Sequence, residues 1–196
     1  MDKEFREDHL GEMARFKNAK LSYYIGDFEW SQEQFDILKS ATSRLISNDA
    51  IDLSVFIMDN ANLDTTYAPL QLFAEAELLF FQNRTSEAFA KLDSIQLLYP
   101  DHTLEDDVLF IKAESYKLRK EFDLAVEMYN EIIKDHPDAI RADNAIFSLA
   151  SLYEFTLEDP GKAMELYEKL FIEYSDSTFA IEARKRFRIL RGDRIQ

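Results

Sequence analysis

The chain of 196 residues contains no cysteine, which removes thiol catalysis, thiolate metal sites and disulfides from consideration. That absence fits a reducing or an oxidising compartment equally. Glycine and proline are nearly as scarce, at four each. A turn-rich β fold needs many more of both, whereas long uninterrupted helices need few. No window approaches 18 apolar residues in a row, so no membrane-spanning helix is expected. The opening stretch, Met1 to Asp8, is charged and lacks the apolar run of a signal peptide.

Positive charge is also in short supply. Lys and Arg number 23 against 38 Asp and Glu, a formal net charge of −15. The imbalance is uneven. Residues 181–196 hold six basic side chains (Arg184, Lys185, Arg186, Arg188, Arg191, Arg194) against Glu182 and Asp193, a local +4, which leaves the first 180 residues at −19. Such a body repels phosphate backbones, so no nucleic-acid partner is expected. The basic tail suits the C-terminal end of a last helix, whose dipole favours cations.

Reactive constellations are missing as well. There is no G-x-S-x-G, no phosphate loop, no dinucleotide fingerprint and no nucleophile–base pair, so neither catalytic residues nor a cofactor are expected. His9, His102 and His136 are scattered, and metal ligation needs convergent donors, so no metal site is expected. Glu105-Asp106-Asp107 lacks the glycine and alternating oxygens of a calcium loop and fits the acidic first turn of a helix.

What the chain does contain is a repeat. Apolar residues make up 46%, enough for a core. Three stretches align: Leu72-Phe-Ala-Glu-Ala76, then Ala88, Leu92 and Tyr99-Pro100; Leu109-Phe-Ile-Lys-Ala113, then Ala125, Tyr129 and His136-Pro137; Ile146-Phe-Ser-Leu-Ala150, then Ala163, Tyr167 and Tyr174-Ser175. Ala76, Ala113 and Ala150 are spaced 37 and 37, while Ala88, Ala125 and Ala163 are spaced 37 and 38. A degenerate copy lies upstream, with Ala19, the Gly26-Asp27-Phe28 turn, Ser31 and Phe35 in order. Gly26 and Gly161 are expected at helix–helix turns, Pro69 near a helix start, and Asp159-Pro160 at an N-cap.

This pattern resembles the tetratricopeptide repeat family, a helix–turn–helix unit whose paired helices, A and B, cross at small residues. The resemblance implies an all-α, right-handed α-solenoid of antiparallel helix pairs forming one domain over 1–196. Within it we expect a degenerate repeat at 7–43, a helical insertion at 44–62, repeats at 66–100, 104–137 and 141–175, and a capping helix at 177–191. Ser177 is the expected N-cap of that last helix, and Phe179, Ala183, Phe187 and Leu190 its buried stripe. The tail from Tyr174 to Phe187 is similar to tetratricopeptide proteins of bacterial envelopes: outer-membrane assembly lipoproteins, the Tol–Pal accessory protein and long repeat proteins of the Bacteroidota. That likeness points to a bacterial setting, periplasmic or envelope-associated rather than cytoplasmic.

Carrying over the family's groove positions, the fifth is Phe16, Phe73, Phe110 and Phe147, and the ninth Lys20, Glu77, Glu114 and Ser151. The twelfth and thirteenth are Tyr23 and Tyr24, Phe80 and Phe81, Lys117 and Leu118, Glu154 and Phe155. The implied site is therefore an aromatic, acidic groove of Phe16, Tyr23, Tyr24, Phe73, Glu77, Phe80, Phe81, Phe110, Glu114, Phe147, Glu154 and Phe155. It would take a protein or peptide partner, basic or amphipathic. Against it stands the plainer account, in which an aromatic at helical spacing is core. The Lys and Asn clamp with which co-chaperone repeats hold a C-terminal carboxylate is absent. The implied function is a non-catalytic interaction scaffold. The alternative is a structural, self-associating segment, such as a homodimer, favoured by an apolar face exposed on 44–62 or on the last helix.

Overall fold

A computed structural model describes residues 9–41, 43–61, 67–100 and 102–193. Among the described residues every regular element is an α-helix, ten in all: α1 His9–Tyr24, α2 Phe28–Leu38, α3 Arg44–Ala61, α4 Ala68–Phe81, α5 Thr85–Leu98, α6 Glu105–Leu118, α7 Phe122–Asp135, α8 Ala142–Phe155, α9 Pro160–Glu173 and α10 Ala180–Arg191. The chain is all-α, built of helix pairs, and no described helix is long and apolar enough to cross a membrane. Its helices gather into two compact units, Met1–Glu105 and Asp106–Gln196, where the repeat pattern implies one domain. The expected edges at 7, 62, 66 and 196 lie outside the described residues.

The first unit packs α1 on α2, α2 on α3 and α4 on α5, and α3 also touches α1 and α4. Small residues sit where the helices cross because only they let two backbones approach. Ala19, Ala76 and Ala88 are each completely buried. Ser31 stands at the fourth such position, and its hydroxyl donates to the Ala19 carbonyl at 2.9 Å, so the polar atom is not stranded. Helix α3 is the extra element. Its inward residues Ile46, Ala50 and Ile57 join Phe35 and Leu38 in the core. Buried Ser54 receives the Gln32 amide at 2.5 Å and donates to Asp36 at 3.0 Å. At the far end, the Thr103 hydroxyl donates to the Asn60 amide oxygen at 2.7 Å, tying the chain after α5 to α3.

The second unit obeys the same rule. Ala113, Ala125, Ala150 and Ala163 are completely buried, and Tyr129 and Tyr167 fill the space beside them without exposure. Helix α10 packs on α9, with Phe179, Phe187 and Leu190 against Ala163, Tyr167 and Leu170. Ala180 and Ala183 repeat, 38 residues on, the buried Ala142 and Ala145 of α8. On the other face the likeness ends. Where α8 has Ile146, Ala150 and Tyr153, α10 carries Arg184, Arg188 and Arg191. Ser177 caps the turn before α10 by accepting from the Phe179 N–H at 3.1 Å, while Phe179 itself holds the N-cap position.

Each turn inside a pair needs one left-handed residue. These are Gly26 at φ 85°, Asn83 at 60°, Lys120 at 62° and Glu158 at 53°. A Cβ on Gly26 would also lie 1.8 Å from Gln71 Oε1, so the Gln71 side chain would have to swing aside to admit one. Gly161, expected at a turn, lies instead in the first turn of α9 behind Pro160, and Glu158 takes the left-handed conformation. Asp159 caps α9 by accepting from the Lys162 N–H at 3.1 Å.

Candidate protein-binding site

In the first unit the groove residues lie on α1 and α4. Tyr23 is completely buried, meeting Phe28 and Phe56 edge-on at 5.7 and 6.3 Å. Phe73 is 4% exposed and packs on Phe56 at 5.2 Å. Both rings are core rather than the solvent-facing anchors expected, because α3 lies against this wall. Phe16 is half-buried against Phe35, and Phe80 half-buried against Phe89. Tyr24 is half-buried beneath the Lys20 ammonium, 5.7 Å from the ring centre. Burial raises its phenol pKa above the ordinary value; Lys20 opposes the rise and the charge of Glu77 adds to it. Phe81, the last residue of α4, is 79% exposed.

In the second unit the fifth-position rings are covered by whatever precedes the next A helix. Phe110 lies edge-on to Tyr129 at 6.0 Å, with the Arg141 guanidinium 5.4 Å from its centre. Arg141 is held there by Asp107, Nε to Oδ1 at 2.6 Å, and its backbone N–H donates to Asp106 at 3.1 Å. Phe147 is covered in the same manner by Phe179, which stacks on it at 4.7 Å. Arg141 and Phe179 are 38 residues apart and hold the same place in successive pairs.

The two glutamates of this unit bond inside the protein instead of lining an open wall. Glu114 accepts from the Tyr129 hydroxyl and from Lys117 Nζ, the latter at 2.6 Å. Glu154 accepts from the Tyr167 hydroxyl at 2.9 Å and is gripped by both Nε and Nη2 of Arg186 from α10. Its side chain is only 6% exposed, that of Arg186 23%. Burial lifts both phenol pKa values, and the adjoining carboxylates lift them further. Tyr167 rises to about 12 and Tyr129 higher still, so both rings are neutral hydrogen-bond donors at ordinary pH. The local picture is a set of neutralised carboxylates, not a free acidic surface.

Apolar side chains at the ends of the A helices remain open. Phe155 ends α8 and is 64% exposed, with the Arg186 guanidinium 4.7 Å from its ring. Leu118 ends α6 and is 82% exposed. Phe81, Leu118 and Phe155 recur at 37-residue intervals, so all three pairs leave a large apolar residue in water at one register position. Leu118 belongs to that row although it is not aromatic, a membership that ring chemistry alone does not flag. The covering roles of Arg141, Phe179 and Arg186 were not signalled by the repeat, because its defining positions lie within a pair and these three residues lie beyond the pair they cover.

Helix pairs closed on small residues, with an open apolar position recurring at the A-helix ends, define a helical-hairpin repeat protein. The tetratricopeptide repeat family model matches residues 107–139, from within the first turn of α6 to just past the end of α7. Proteins carrying this repeat use it for protein–protein interaction. No curated protein sequence matches the chain.

Proposed function

We propose that the chain is a non-catalytic protein-interaction scaffold that receives an amphipathic helix or extended peptide along the A-helix ends of its second unit. The exposure of Leu118 and Phe155 carries this reading. Two large apolar side chains standing in water at matched positions have a hydration cost that packing inside the fold would remove, and contiguous apolar patches mark interaction sites. The tetratricopeptide match supports the class of function, and the net charge of −15 favours a partner with basic residues flanking its apolar side. We place the setting in a larger bacterial assembly at the envelope, on the likeness of the tail to envelope repeat proteins. Of the groove residues named from the repeat in the second unit, Phe155 stands exposed, and Leu118 is exposed at the same register position.

The test uses a peptide selected by display against the full chain, whose affinity is then measured by calorimetry. Leu118→Ser and Phe155→Ser should each weaken binding by about thirtyfold, the loss of a hot-spot side chain, with the melting temperature unchanged in Leu118→Ser and lowered only slightly in Phe155→Ser, which also gives up the Arg186 guanidinium contact. Unaltered affinity in both variants would refute the proposed surface.

A further inference from the structure

We infer that a second copy of this chain docks head to tail, the outer face of α10 on one copy meeting the outer face of α3 on another. This goes beyond the A-helix surface and uses different residues.

The two faces match in position and sign. On α10, Ile181, Arg184, Lys185 and Arg188 stand at i, i+3, i+4 and i+7, one stripe of a helix. Ile181 is 84% exposed, and the three basic residues are exposed beside it. On α3, Leu45, Asn48, Asp49 and Asp52 occupy the same four offsets. Leu45 is 70% exposed, Asp49 and Asp52 are exposed, and neither makes an ion pair among the described residues. Laid side by side in one direction, Leu45 meets Ile181, Asp49 meets Lys185 and Asp52 meets Arg188. Each side is an apolar knob bordered by charge, which is how interface centres and rims are composed. Each stripe lies within a single unit.

Charge narrows the choice of occupant. From residue 45 to residue 83 the chain has no Lys, Arg or His, but six acidic residues. Past Arg44 at its first position, α3 therefore carries no cation to compete with an incoming one, and α4 carries none at all. On α10 the existing ion pairs are long: Lys185 reaches Glu182 at 3.4 Å and Arg188 reaches Asp193 at 3.5 Å, while the Arg184 guanidinium lies 5.3 Å from the Phe171 ring centre. Exposed pairs of this kind contribute little, so an intermolecular carboxylate exchanges with them readily. Two bodies of like net charge repel, but at physiological ionic strength charges separated by more than about 8 Å are screened and adjacent ones are not. The contact is heterologous, so it propagates into rings or open chains instead of closing as a two-fold dimer.

Sedimentation velocity on the full chain over a range of concentrations tests this. We expect association that grows with concentration and weakens as salt is raised to about 1 M, where screening reaches the contact itself. Lys185→Glu/Arg188→Glu and Asp49→Lys/Asp52→Lys should each sediment as monomers. Mixed in equal amounts they should associate again, because each reversed face then finds an opposite one. Circular dichroism melts confirm that both variants fold, and Ile181→Asp, a single exposed change, should also release the monomer. The inference is overturned if the wild-type chain stays monomeric at every concentration. It is equally overturned if association survives both charge reversals, or if mixing fails to restore it.

Discussion

Replacing Arg186 by alanine should strip α10 of its charged tie to α8. The Glu154 side chain is 6% exposed and that of Arg186 23%, so the pair lies between a buried and a surface ion pair. Breaking a buried pair costs about 3–5 kcal/mol and an exposed one less than about 1 kcal/mol. The geometry points toward the upper part of that interval. Glu154 would keep only the Tyr167 hydroxyl, and water would have to enter to solvate the carboxylate. The guanidinium contact with the Phe155 ring would go too, adding about 0.5–1 kcal/mol. We therefore expect Arg186→Ala to cost about 3 kcal/mol. Glu154→Gln should cost less, about 1–2 kcal/mol, because glutamine still accepts from Tyr167 and the partly exposed Arg186 can turn to water. In the double variant no carboxylate is stranded, so the two losses should fall short of additivity by at least about 1 kcal/mol. The assay is urea unfolding followed by far-ultraviolet circular dichroism for all four members of the cycle. Costs below about 0.5 kcal/mol that add within error would show a solvated surface pair and refute the reasoning.

The same geometry sets three further outcomes. Ala113 is completely buried at the α6–α7 crossing, so Ala113→Leu should overpack it and cost about 1–3 kcal/mol in denaturant melts. Gly26→Ala forces a side chain into a left-handed position and against Gln71, and should destabilise by at least about 1 kcal/mol by thermal melting. Tyr167 has a folded pKa of about 12 against an ordinary 10, so its stabilising effect is complete below pH 10 and is lost as pH rises through the folded value. At about 1.4 kcal/mol per unit the loss approaches 2–3 kcal/mol, and Tyr167→Phe should flatten the alkaline limb of the stability curve.

The fold was legible because crossing helices leave a mark in composition: a backbone approach admits only a small residue, and Ala76, Ala113 and Ala150 recur wherever it happens. Even the extra helix announced itself, since Ala19 and Ala76 lie 57 residues apart, too far for a single pair. The site was less legible. Register shows which side of a helix a residue occupies, but not what the next element lays over it. Phe110 lies under Arg141 and Phe147 under Phe179, covers that come from outside the pair. Glu154 read as a surface acid because its partner stands 32 residues away on a helix outside the repeat. The left-handed turns were visible at Gly26 and hidden at Lys120 and Glu158, where a residue with a side chain adopts a glycine-like φ.

The arginines of α10 also bear on how such a chain lengthens over evolutionary time. A newly duplicated pair must lay its first helix against a surface that accepts small and apolar side chains. Arg188 stands where Ala150 lets α9 approach α8, and Arg184 where Ile146 is sealed from water. A pair inserted after α10 would bury those charges without partners, whereas one inserted in the turn before Ala180 would inherit the alanine surface and leave α10 outermost. The turn ahead of α10 is thus a seam at which a further pair can enter, whereas the arginine face of α10 is not.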